Sequence, residues 1–102
     1  MTLRPVHPGE ILADELDALG VSAVAVAGAI GVPPNRLYQI LNGSRALTAD
    51  TALRLGRWFG MDAEFWLNLQ KLYELRLAEA EHGKEIGRIK PYHARVESDA
   101  RV

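Results

Sequence analysis

The sequence predicts an all-α fold of five helices in one small domain followed by a tail, and three observations predict it. Apolar residues recur at helical spacing from Pro8 to about His82. Gly20, Gly31, Gly60 and Gly83 punctuate these periodic stretches, where a left-handed residue closes a helix. The stretch Ser22–Asn42, SAVAVAGAIGVPPNRLYQILN, reads as two short helices joined by a tight turn at Gly31. Small Ala27 sits one turn ahead of that glycine, and Val32 covers the turn from inside. The spacing of Val26, Ile30, Val32, Leu37 and Ile40 puts all five between the two helices, which is the helix-turn-helix pattern.

Taken in order, residues 1–7 read as irregular, with Pro5 and Pro8 as breakers. Pro8 opens a first helix that runs to Leu19 and is ended by Gly20. Ile11, Leu12, Glu15, Leu16 and Leu19 give it the spacing of a half-buried helix with its acids outside. Ser22 is the N-cap of the second helix, from about Ala23 to Ile30. Gly28 inside that helix costs roughly 1 kcal/mol against alanine, and close approach of another helix is the expected offset. Pro34 suits the first turn of the third helix, where a missing N–H costs nothing. Val32-Pro33-Pro34 offers no side-chain acceptor there, so the free N–H groups are left for water or a phosphate.

Asn42-Gly43-Ser44-Arg45 reads as a loop, with Gly43 permitting positive φ. Thr48 caps a fourth helix, Ala49 to Phe59, with Ala52, Leu53, Leu55, Trp58 and Phe59 expected inside and Gly60 closing it. Asp62 caps the last helix, from about Ala63 to His82, stopped by Gly83. Its roughly 20 residues span about 30 Å. Phe65, Trp66, Leu69, Leu72, Tyr73, Leu75, Leu77 and Ala80 spread over half its circumference, wider than the ~100° stripe of a helix with one core contact. A second copy of the chain is expected to cover Phe65, Trp66, Leu69, Leu72 and Tyr73, with the first helix as the alternative cover. After Gly83 the sequence KEIGRIKPYHARVESDARV loses its period and reads as a flexible tail, in which Ile86 and Ile89 would dock locally. The expected division is residues 1–82 for the helix-turn-helix and dimerisation domain and 83–102 for the tail.

Composition narrows the function. The chain has 102 residues and no cysteine, which excludes disulfides and Cys-based metal sites. His7, His82 and His93 stand at no ligand spacing, so no metal or cofactor is expected. No run approaches the ~18–20 apolar residues of a membrane span. MTLRPVHPGE has no apolar signal-peptide core, and a cytoplasmic location is expected. There is no glycine-rich phosphate loop and no Ser–His–acid set with local logic, and Glu64 and Glu74 are more than two turns apart, so an enzyme is not expected.

Net charge is −1, but its distribution is uneven. From Pro34 to Phe59 four arginines (36, 45, 54 and 57) face one acid, Asp50, for a net +3. From Pro8 to Leu19 four acids (Glu10, Asp14, Glu15 and Asp17) meet no base. That acid run reads equally as a partner surface or as a solvated helix face with a favourable macrodipole near its start.

Asn35, Arg36, Tyr38 and Gln39 lie off the apolar stripe of the third helix, and Asn42 follows at its end. Amides, a guanidinium and a phenol suit base edges and phosphates. Arg36 to guanine and Gln39 to adenine are the expected base contacts; Ser44, Arg45 and Thr48 are the expected phosphate contacts.

These residues fall in three blocks: HPGEIL (7–12), GVPPNRLYQILNGSRALTADTALRLGRWFG (31–60) and EFWLNLQKLYEL (64–75). Through them the chain resembles the HigA-type antitoxins, a branch of the lambda-repressor-like (XRE) helix-turn-helix regulators. The resemblance covers most of residues 7–77. It implies a five-helix DNA-binding domain that dimerises, binds double-stranded operator DNA and represses its own operon. It also implies a partner, an RNA-cleaving toxin of the RelE-like fold (HigB-type), which Glu10, Asp14, Glu15 and Asp17 would meet. Carried onto this chain, Asn35, Arg36, Tyr38 and Gln39 are the recognition-helix readers, and Asn42, Ser44, Arg45 and Thr48 lie against the DNA backbone. The wider repressor group often has Thr-Gln at the start of the second helix. Here Ser22-Ala23-Val24 leaves Ser22 as the sole polar group there and the one DNA contact expected from that helix start. The alternatives are a stand-alone regulator without a toxin, and a protein-interaction module that has lost DNA binding.

Overall fold

Five helices follow one another through residues 4–92, the part of the chain that the computed structural model describes. They are α1 (Pro8–Leu19), α2 (Ala23–Ile30), α3 (Pro34–Leu41), α4 (Ala49–Phe59) and α5 (Ala63–Gly87). Their ends follow local chemistry. Ser22 Oγ accepts from Ala25 N–H at 3.1 Å at the start of α2, and Thr48 Oγ1 lies 3.5 Å from Thr51 N at the start of α4. Gly31 closes α2 with φ 76°, a left-handed conformation in which a side chain would be strained.

Burial then selects the arrangement. Leu12 and Leu16 of α1, Val26, Ala27 and Ile30 of α2, and Leu37 and Ile40 of α3 meet Val32, Leu47, Ala52, Leu55 and Trp66 in one core. Each large aliphatic side chain so buried contributes about 1.5–3 kcal/mol. α3 packs against α1 on one side and α2 on the other, while α4 rests on α5 and α2. Two glycines make the close approaches possible. A Cβ on Gly9 would overlap the Ile40 carbonyl, and one on Gly56 would meet Met61 O at 2.7 Å. α1 therefore rides directly on the end of α3, and the α4–α5 turn folds back tightly.

Several expectations need correction. Gly28 is exposed, and a Cβ there would meet nothing within 4 Å among the described residues, so no helix approaches it. Leu53 is 64% exposed, because the buried stripe of α4 runs through Thr51, Ala52, Leu55 and Gly56 and leaves residue 53 on the far side. Asp62 occupies the N-cap of α5 but makes no side-chain capping bond among the described residues. α5 does not stop at Gly83. It runs to Gly87, since a right-handed glycine costs only about 1 kcal/mol and the following Lys84 and Glu85 favour helix. Ile86 and Ile89 are exposed rather than docked. Residues 93–102, half of the expected tail, lie outside the described residues.

Candidate nucleic-acid interface

α3 spends its apolar edge on the core and presents the rest. Leu37 and Ile40 are almost wholly buried against α1 and α2. Asn35 and Tyr38 are exposed, and Arg36 and Gln39 are half-buried at the rim of the same face. No side chain caps the start of α3 among the described residues; Arg36 N–H turns back to the Pro33 carbonyl at 3.0 Å, Pro33 and Pro34 have no N–H, and Asn35 N–H is left without a partner there.

The arginines around this face divide into two kinds. Arg54 is structural: its Nη1 donates to the Ile30 carbonyl at 2.8 Å, which caps the end of α2, while its Nε donates to Asp50 Oδ2 at 2.9 Å. Arg36 Nη1 lies 3.6 Å from the same Asp50 oxygen and has no other side-chain partner among the described residues. Arg45 is exposed, and its Nη1 donates to Gln39 Oε1 at 2.9 Å.

The loop after α3 is built by its own polar groups. Asn42 Oδ1 accepts from Ser44 N at 3.0 Å and from Ser44 Oγ at 2.6 Å, an Asx turn closed twice. The Asn42 amide N–H groups have no partner among the described residues. Ser22 and Thr48, both expected against DNA, accept as helix caps through their hydroxyl oxygens, which leaves each its O–H as a donor.

Two supports of this loop escape a reading of the sequence. His7 is the N-cap of α1 and is buried. Its Nδ1 accepts from Gly9 N–H at 2.9 Å, its ring lies under Gly43, and Tyr73 of α5 stands edge-on to it at 4.9 Å. Desolvation by burial pushes the His7 imidazole below its ordinary value, against smaller upward pulls from hydrogen bonding to the Arg45 backbone and from Glu10. Gln70, buried on α5, accepts from Leu47 N–H at 2.9 Å. The one signal for the first of these is His directly before Pro-Gly at a helix start.

With this geometry in hand, comparison with known proteins is decisive. A helix-turn-helix family model matches residues 12–66. Antitoxin HigA-1 of Vibrio cholerae is 36% identical, over 97% of this chain and 94% of that protein. The structure of a HigA-family addiction module antidote protein from Coxiella burnetii superposes with a TM-score of 0.85 at 51% identity, over 88% of this chain and all of the other. The Pseudomonas aeruginosa antitoxin HigA, solved with the higBA promoter, superposes with a TM-score of 0.82 at 46% identity, over 86% of this chain and 98% of the other.

The chain belongs to the HigA family of helix-turn-helix antitoxins.

In this HigA-family chain the acid run of α1 is exposed. The Arg4 guanidinium hydrogen-bonds Glu10 and holds its carboxyl below the usual carboxylate value, whereas Asp14, Glu15 and Asp17 form no ion pair among the described residues. The residues expected to meet a second copy are not one surface. Trp66 is wholly buried in the core against Phe59 and Phe65, with its indole N–H unpartnered among the described residues, so it cannot belong to an interface. Phe65 and Leu72 are exposed, and Leu69 and Tyr73 are half-buried. Leu69, Leu72 and Tyr73 line an apolar groove with Val6 and Ile11, so the N-terminal segment and α1 cover part of the α5 face. Among the described residues no three potential ligands cluster for a metal, and no helix is long and apolar enough to cross a membrane.

Proposed function

We propose that this chain represses its own operon as a dimer and neutralises an RNA-cleaving toxin of the RelE-like fold. The carrying observation is the division of α3: Leu37 and Ile40 are locked into the core while Asn35, Arg36, Tyr38 and Gln39 remain on an outward face continuous with Arg45. That face enters the major groove, with Arg36 and Gln39 reaching base edges and Arg45 held beside them. The phosphates would meet the Asn35 N–H at the start of α3, the Asn42 amide and the exposed loop. A two-fold axis would set two copies about 34 Å apart on successive grooves, with Phe65, Leu69, Leu72 and Tyr73 as the candidate contact between them. The promoter complex of the Pseudomonas relative supports this reading.

For the toxin, the candidate surface is Asp14, Glu15 and Asp17 together with Glu10, on the opposite charge pole from the α3 face. A protein that cleaves RNA needs a basic surface for its substrate, and an acidic helix face complements it. A gel shift on the duplex upstream of the chain's own gene tests the first half: the wild type retards it, and Arg36→Ala with Gln39→Ala does not. Equal retardation by the double variant would refute the assignment. Replacing all four acids with Asn or Gln tests the second half, and full toxin inhibition by that variant would refute it.

A further inference from the structure

Gln39 is tied to the loop that follows it through both of its oxygens. Its backbone carbonyl accepts from Ser44 N at 2.9 Å. Its side-chain Oε1 accepts from Arg45 Nη1 at 2.9 Å. The loop that carries Arg45 is itself fixed, by the doubly closed turn at Asn42 and by Leu47 N–H on the buried Gln70. Arg45 is thus delivered to Gln39 by a braced loop.

A glutamine amide can flip, offering either its oxygen or its nitrogen to a base. A guanidinium only donates, so the amide oxygen must face Arg45 and the Nε2 donors must project away from it. Free glutamine pairs with adenine, because adenine presents one donor and one acceptor in the major groove. With one lone pair of Oε1 taken by Arg45 and the guanidinium charge beside it, the remaining lone pair accepts less well from adenine N6–H₂. Guanine presents two acceptors, N7 and O6, and suits the donors that Gln39 Nε2 and the Arg45 guanidinium set side by side.

We propose that Arg45 determines specificity by pinning the Gln39 amide, so that the Arg45–Gln39 pair reads guanine instead of the adenine that Gln39 alone would read. This inference rests on the DNA-binding reading above. Arg45 acts here through Gln39 and not simply as a phosphate anchor.

Selection from a randomised duplex pool tests it with four proteins: the wild type, Gln39→Ala, Arg45→Ala and Arg45→Lys. The base pair read by residue 39 is the one whose preference Gln39→Ala abolishes. At that pair the wild type should favour guanine over adenine by at least about fivefold. Arg45→Ala should move the preference to adenine, and Arg45→Lys, which keeps a donor, should retain guanine. Arg45 is exposed and Gln39 half-buried at the rim, outside the apolar core, and a melting curve of each variant confirms that it folds. A wild-type preference for adenine would overturn the proposal, as would an Arg45→Ala protein that binds every sequence more weakly with base preferences unchanged. Failure of the wild type to enrich any sequence would instead overturn the DNA-binding reading itself.

Discussion

The side-chain amide of Gln70 accepts the backbone N–H of Leu47 at 2.9 Å, joining α5 to the connection between α3 and α4 across 23 residues of chain. Both groups are buried, and Gln70 Nε2 is satisfied in turn by Glu74 Oε2 at 2.8 Å. The loop that carries Ser44 and Arg45 is therefore held from behind by the longest helix. Gln70→Leu would leave the Leu47 N–H buried without a partner, which costs about 1–3 kcal/mol. For a domain of this size thermal unfolding should fall by about 4–8 °C per kcal/mol. An unchanged melting temperature would contradict this role.

His7 should make stability depend on pH. Its Nδ1 must be unprotonated to accept from Gly9 N–H, and burial holds its pKa below the ordinary 6.5. Between the folded and unfolded values the unfolded chain binds more protons, so stability rises with pH there. The His7 contribution is complete above about pH 6.5 and is lost as pH falls through the folded value. Denaturant midpoints taken from about pH 7.5 down to about pH 5 should fall for the wild type. They should fall less for His7→Asn, whose side-chain oxygen can still cap Gly9. Parallel pH profiles would remove His7 from the account.

Two glycines should respond in opposite directions to the same methyl group. Gly28 faces open space in the middle of α2, so Gly28→Ala should stabilise by about 0.5–1 kcal/mol. Gly9→Ala drives a Cβ into the Ile40 carbonyl and must push α1 off α3, at a cost of about 1–3 kcal/mol. Paired thermal melts check both signs.

If Arg36 reaches DNA as proposed, Asp50 competes with the DNA for it. Its carboxylate lies 3.6 Å from Arg36 Nη1 on a well-exposed surface, where such pairs stabilise little. Asp50→Asn should leave the melting temperature nearly unchanged while strengthening binding to all duplexes. The slope of log affinity against log salt should steepen by about one. A weaker variant with an unaltered slope would show that Asp50 serves the fold and not the charge of this face.

The helix-turn-helix is legible in the sequence because its determinants are local. Ala27, Gly31, Val32 and the anchors Leu37 and Ile40 act within twenty residues, and all four apolar positions among them are buried. What the sequence conceals depends on distant partners. Gly9 and Gly28 are the same letter, and only the path of α3 makes one of them indispensable. Gln70 reads as an ordinary polar residue on a charged helix until Leu47 is brought beneath it. Gly83 reads as a stop, but a glycine ends a helix only where the chain turns left-handed. The outward ridge is readable as a set of residues; its internal pairing, Arg36 with Asp50 and Arg45 with Gln39, is not, because those partners lie on different elements.

Backbone amide shifts on adding the duplex upstream of the chain's own gene test the central claim most directly. The account predicts that the largest changes fall in residues 34–48, with the acids of α1 unmoved. Changes confined to α1 or to the outer face of α5, with α3 silent, would contradict it.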